Sequence, residues 1–226
     1  MGEAAQAVAT GGLFAGWRNL PYDQEYAKTA LQWFIIMNVV QIILFFVVVE
    51  NHPLPARFAK ELKKPYDRMV VGHRLVCLYN GFGAFLASAY WVLFLREIEC
   101  GKKNSLYETI LFSNMCAHLL WDSIFMKYKG FLDFGNLLHH VMGTVSYGSV
   151  IYFQHNLYLN MIHILPGDAT NASMHLREIL KRFGMRYTWS YYMNEYYYCA
   201  AYMLCRGLII PSVFYFFWTC ESAGPF

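Results

Sequence analysis

The sequence predicts an all-α fold, a polytopic membrane bundle of about six transmembrane helices around a central polar or lipid-filled chamber. Three observations lead there. Of 226 residues, 57% are hydrophobic and only 15% charged, well below the quarter expected of a soluble domain. The apolar residues gather in runs close to the ~20 residues needed to cross hydrocarbon about 30 Å thick. Ionisable side chains recur inside those runs, where they are costly and must face a cavity or one another. The mildly positive mean hydropathy agrees, because basic loops and 18 tyrosines, many suited to interfaces, lower it. The net charge is +3, with no basic face interleaved with aromatics, which excludes nucleic acid as a partner.

Residues 1–30 form an amphipathic N-terminal segment, with Leu13, Phe14, Trp17, Leu20 and Tyr22 among Arg18, Asp23 and Glu25; it suits a membrane surface or a partner protein. Met1-Gly2 resembles a myristoylation start, but Gln6 stands where serine or threonine is wanted. The first span is expected over residues 31–49, with Gln32, Asn38 and Gln41 on one inward face. A basic loop with Pro53, Pro55, Arg57, Lys60, Lys63, Lys64 and Arg68 precedes a second span, residues 69–95, whose Gly72, Gly81, Gly83, Ala84 and Ala87 suit close packing. Further spans are expected over 106–126, 137–153, 157–180 and 188–218, leaving a short tail at 221–226. In the fifth, Pro166-Gly167 is expected to break or bend the helix, letting Asp168 cap its second half. Lys and Arg favour the loops opposite the termini, which sets the termini away from the cytoplasm or the mitochondrial matrix. No CxxC pair occurs among the six cysteines, so they do not fix a redox compartment.

The candidate chamber residues are Arg74, His118, Asp122, His140, Asp168, Asn171, His175 and Arg206. His118 and Asp122 share a face at i, i+4, and Asp168, Asn171 and His175 share one at i, i+3, i+7. Arg206 needs an anionic partner, for which Asp168 and Asp122 are candidates. His139 and His140 are adjacent, hence about 100° apart on a helix, and lack the i, i+4 spacing of a helical metal site; no metal is expected there. The Asn171-Ala172-Ser173 sequon lies at membrane depth, out of reach of glycosylation.

Taken in order, Arg74-Leu75-Val76, Asp122, Leu137-Leu138-His139-His140, the block from Asp168 to Arg177, and Arg206 resemble the TLC membrane-protein family over roughly residues 30–220. The likeness is closer to its TLC-domain-containing branch than to the ceramide synthases. It implies a helix bundle around a cavity that holds an acyl chain. It also implies that His139, His140 and Asp168 match catalytic elements of ceramide synthases, which transfer an acyl group from acyl-CoA. Asn171 stands where the second catalytic aspartate would be. In this branch a glutamate usually fills the Asp168 position and a histidine the Asn80 position.

The Asn171 departure matters because an asparagine can neither hold an imidazolium by charge nor relay a proton. The expected function is therefore lipid binding without turnover and without a cofactor, as an accessory subunit of a larger membrane assembly. The alternative is an acyl-CoA-dependent lipid acyltransferase with His139 or His140 as base and Asp168 as its partner. A transport path would call for an inverted repeat, which the sequence lacks. The endoplasmic reticulum and the mitochondrial inner membrane fit equally, since no targeting signal separates them.

Overall fold

A computed structural model describes residues 22–51, 62, 64–95, 102–212 and 215. Most of the N-terminal segment, most of the basic loop after Asn51 and the tail at 221–226 lie outside these residues. Among the described residues the chain is all-α, with a single isolated bridge between Lys103 and His155. We label six helices: α1 Gln24–Asn51, α2 Pro65–Leu95, α3 Leu106–Tyr128, α4 Phe134–Phe153, α5 Leu157–Arg182 and α6 Trp189–Leu204. Two of them, α1 and α2, are long and apolar enough to cross a membrane. Polar residues such as Glu108, His118 and Asp122 dilute α3, and Asp168, His175 and Arg177 dilute α5.

Local chemistry sets the helix ends. The Asp23 carboxylate accepts from the Glu25 and Tyr26 amides, so α1 starts at Gln24, a full turn and more before the apolar run at Leu31. Ser105 and Glu108 make a reciprocal capping box on α3, while Asp133 and Thr188 cap α4 and α6. Gly130 takes φ 76 after α3, where the Phe131 amide reaches back to the Met126 carbonyl, a closure that favours glycine. Only Gln154, His155 and Asn156 join α4 to α5. Gln154 ties that turn to the start of α1, its side chain accepting from the Asp23 amide (2.8 Å) and donating to the Asp23 carbonyl (2.9 Å).

The helices form two groups. In one, α3 lies between α1 and α4; in the other, α5 packs along α2 and carries α6. Two apolar clusters join them. One contains Trp91, Phe112, Met115, Met161 and Ile164, and the other Phe45, Val49, Val76, Cys77 and Phe125. Between these clusters lies a polar layer. Asn80 falls between Cys77 and Ala84 on α2, and His118 and Asp122 between Met115 and Phe125 on α3. The outside is the reverse: Leu31, Ile35, Ile36, Val39, Ile43 and Val47 of α1 are exposed, whereas Gln41 of the same helix is 0% exposed.

Three sequence expectations need correction. Gln32 is exposed, so only Asn38 and Gln41 of the first-span amides turn toward neighbours. Pro166 does not break α5, which runs unbroken from Leu157 to Arg182. A proline removes one helix donor; nearby, Ser88 of α2 donates to the Met161 carbonyl (2.7 Å) and Thr170 Oγ1, within α5 itself, donates to the Gly167 carbonyl (2.7 Å). Asp168 is consequently mid-helix and is not a cap.

Candidate functional site

The polar layer holds two connected features. The first is an amide node, with Gln41 of α1 donating to Asn80 Oδ1 (3.0 Å) and Asn114 Oδ1 (2.7 Å). Asn114 also donates to Asn80 Oδ1 (3.0 Å), and His118 Nδ1 meets Gln41 Oε1 at 3.3 Å. These bonds satisfy a fully buried amide that would otherwise carry a large desolvation cost. The node closes the floor of a groove of about 490 Å³ between α1, α2 and α3, walled by Met37, Val40, Leu44, Val76, Ala84 and Leu111. That volume lies within the range of small-molecule sites.

The second feature is a cavity of about 80 Å³ between the two helix groups. It is too small for a lipid tail but has room for a few waters, at roughly 30 Å³ each. Its walls include Arg74, His118, Asp122, His139, His140, Asp168, Asn171 and His175. Arg206 joins from the π-helical turn Cys205–Ile209 that follows α6, donating to Asn171 Oδ1 (3.1 Å), while Asn171 donates to Asp168 Oδ1 (2.9 Å). Asn171 therefore bridges the arginine and the aspartate that the sequence reading paired directly. Asp168 Oδ2 is buried without a hydrogen-bond partner. At the cavity mouth Asp133 caps α4; the Asn136 amide, its strongest partner, holds the Asp133 carboxyl below the usual carboxylate range.

The cavity wall also carries a cluster that connects α2, α3 and α4. His73 Nε2 is 2.5 Å from Asp122 Oδ1, Cys77 Sγ is 3.8 Å from His73 Nε2, and His140 Nε2 is 3.5 Å from Asp122 Oδ2. His140 Nδ1 meets Ser123 Oγ at 2.8 Å, and Ser123 Oγ donates to the Leu119 carbonyl at 2.9 Å. A π-helical turn at Leu44–Val48 swings Phe45 inward, where it packs on His73 and His118. Phe125 stacks on His73 at 5.5 Å, and Phe131 meets it edge-on at 5.2 Å. His73 is 0% exposed as a result.

His140 and His139 separate as adjacent helical positions must: His140 is buried, His139 exposed. The base and carboxylate paired in the sequence reading do not meet in that form, because His140 faces Asp122 and Ser123, and Asp168 is bonded to Asn171. Sequence reasoning did not single out His73, Cys77, Asn114 or Ser123. The i, i+4 spacing of His73 and Cys77 was the available signal, overshadowed by the neighbouring Arg74. No family model, curated protein or solved structure matches this chain.

Proposed function

We propose that this chain is a multi-pass membrane protein that holds a lipid acyl chain in the groove between α1, α2 and α3, without turning it over, as an accessory subunit of a larger membrane assembly. The observation that carries the reading is the groove: about 490 Å³, apolar along its walls and ending on the Gln41–Asn80–Asn114 node. Tails lie against Val40, Leu44 and Leu111, and the node offers polar anchoring at the depth where the tail ends. The inverted surface supports insertion beyond α1 and α2, since Leu120 and Ile124 of α3, Leu138, Val141 and Val145 of α4, and Met203 and Leu204 of α6 are exposed. Apolar exterior on this scale marks a membrane or protein contact. The ordered residues Arg74, Asp122, His139, His140, Asp168 and Arg206 support membership in the TLC family, in the endoplasmic reticulum or the mitochondrial inner membrane.

Gly83 provides the test. It lines the groove, and a Cβ there would meet nothing within 4 Å, so a large side chain fills the space without a backbone clash. Native mass spectrometry of protein taken from lipid nanodiscs is expected to show a retained lipid in the wild type and its loss in Gly83→Phe, with helicity unchanged. Equal lipid retention in both would overturn the reading.

Acyl transfer from acyl-CoA is the second reading, favoured by one observation: His140 and Asp168 line the same cavity, and Asp168 Oδ2 has no partner. It requires acyl-CoA consumption that His140→Ala abolishes. His140 Nδ1 is bonded to Ser123 and its Nε2 lies beside Asp122, while Asp168 is bonded to Asn171, so the base and carboxylate of this reading are not paired.

A further inference from the structure

We propose that His73, Cys77, Asp122 and His140 form a binding site for a zinc-class divalent cation, which ties α2 to α3 and α4. The inference is independent of the lipid reading. Ligand atoms of His73, Cys77 and Asp122, all three residues buried, lie within 4.8 Å of one another. His140 Nε2 lies outside that three-residue group, 3.5 Å from Asp122 Oδ2, and would close on it as the fourth ligand. His73 and Cys77 have the i, i+4 spacing that places two ligands on one helical face, the spacing that His139 and His140 lack.

Proton accounting around His140 points to a cation. Ser123 Oγ directs its one hydrogen at the Leu119 carbonyl, so it accepts from His140 Nδ1–H. In the neutral ring that leaves an unprotonated Nε2, with its lone pair aimed at an Asp122 carboxylate oxygen 3.5 Å away. Two acceptors face each other in that state; a proton on Nε2 relieves the repulsion, and so does a metal ion. A ligating histidine ordinarily has its second ring nitrogen bonded in this way, and Ser123 supplies that bond.

Geometry and charge both suit zinc. Metal bonds of about 2.0–2.3 Å to nitrogen, oxygen and sulfur put the ligand atoms of a tetrahedral site roughly 3.3–3.6 Å apart. The 3.8 Å Cys77–His73 separation is already near those values, while the 3.5 Å from His140 is to Asp122 Oδ2, the oxygen that His73 does not contact. The 2.5 Å His73–Asp122 contact must open by about 0.8 Å, a small side-chain rotation. A thiolate and a carboxylate neutralise a dication, and a neutral centre suits a buried site whose His73 ligand packs against Phe45, Phe125 and Phe131. Mixed imidazole, thiolate and carboxylate donors favour zinc over magnesium or calcium, which take all-oxygen shells.

The test is cobalt(II) titration of the full-length protein, purified reduced in mild detergent and stripped of metal, followed by displacement with zinc. Expected are one equivalent per chain, tetrahedral-intensity ligand-field bands, and a thiolate-to-cobalt charge-transfer band that zinc abolishes. Cys77→Ala, a small change in an apolar cluster, should lose the charge-transfer band while keeping its thermal midpoint, whereas Cys199→Ala at an exposed cysteine should keep the band. Ser123→Ala should keep it but bind 10–100-fold more weakly, the usual effect of removing a partner behind a ligand. Absence of the band in folded wild-type protein, or its persistence in Cys77→Ala, would overturn the site. The wild-type result decides the matter even if a variant fails to fold.

Discussion

Replacing Gly72 with alanine should push α1 and α2 apart where they cross. A Cβ at Gly72 would lie 2.8 Å from the Val49 carbonyl oxygen, whereas ordinary contact begins at 3.4 Å, a shortfall of 0.6 Å. The obstacle is backbone in the last turn of α1, so no side-chain rotation relieves it. Overpacking of this kind costs ~1–3 kcal/mol. Gly→Ala in a helix returns ~1 kcal/mol through reduced backbone entropy. A matched variant removes that offset: at Gly83 of the same helix a Cβ meets nothing within 4 Å, so Gly83→Ala keeps the gain without the clash. The two variants should therefore differ by ~1–3 kcal/mol, Gly72→Ala being the less stable. The assay is unfolding by titration of harsh into mild detergent, followed by helical circular dichroism. Coincident midpoints for the two variants would refute the close approach of these helices.

Two further outcomes are expected. Gln41→Leu removes three hydrogen bonds of the amide node, and at roughly 0.6 kcal/mol per interhelical bond in membranes it should destabilise by about 2 kcal/mol. A double-mutant cycle with Asn114→Ala should show coupling, and strict additivity would dissolve the node. Asp23 is held below the usual carboxylate range, first by its bond from Lys103 and next by the Tyr26 amide. A carboxylate depressed in the folded state stabilises above its unfolded value of about 4 and loses that contribution as pH falls through the folded value. Amide protection in the first turn of α1, corrected for intrinsic exchange, should hold from neutral pH to about pH 5 and fall in stronger acid. Asp23→Asn, which can still cap, should lack that dependence; retention of it would point to another group.

The all-α reading was legible because long apolar runs with capping residues at their starts admit little else. Ser105 with Glu108, and Asp133 before the run that carries His139 and His140, mark helix starts in the sequence itself. The start of α1 was readable too, from Asp23 followed by Glu25, but the apolar run drew the boundary to Leu31. What was not legible came from other helices. Pro166 reads as a breaker along the chain, yet α5 runs on through it, packed along α2. Asp122 has His118 as its sequence neighbour at i+4 spacing, yet its short contact is with His73, 49 residues away. Asn171 looked like a lost carboxylate and turns out to join Arg206 to Asp168. Spacing along one helix ranks which groups share a face, but partners across helices depend on rotation and depth that a sequence does not carry.

The clasp between Asp23 and Gln154 sets a timetable for assembly. Gln41 meets Asn80 across 39 residues and Asn114 across 73, whereas the clasp closes over 131. From Asn114 to Gln154 is a stretch of 40 residues, which at translation speeds of about 5–20 residues per second takes the ribosome roughly 2–8 seconds. By then the first turn of α1 is already held by Lys103, which bonds Asp23, and by Asn104 and Thr109, which bond the Tyr26 hydroxyl, so Gln154 adds a second fastening to an end held once. The start of α1 is therefore fastened in two steps, by residues 103–109 and then by Gln154, before α5 and the turn after α6 add their own contacts.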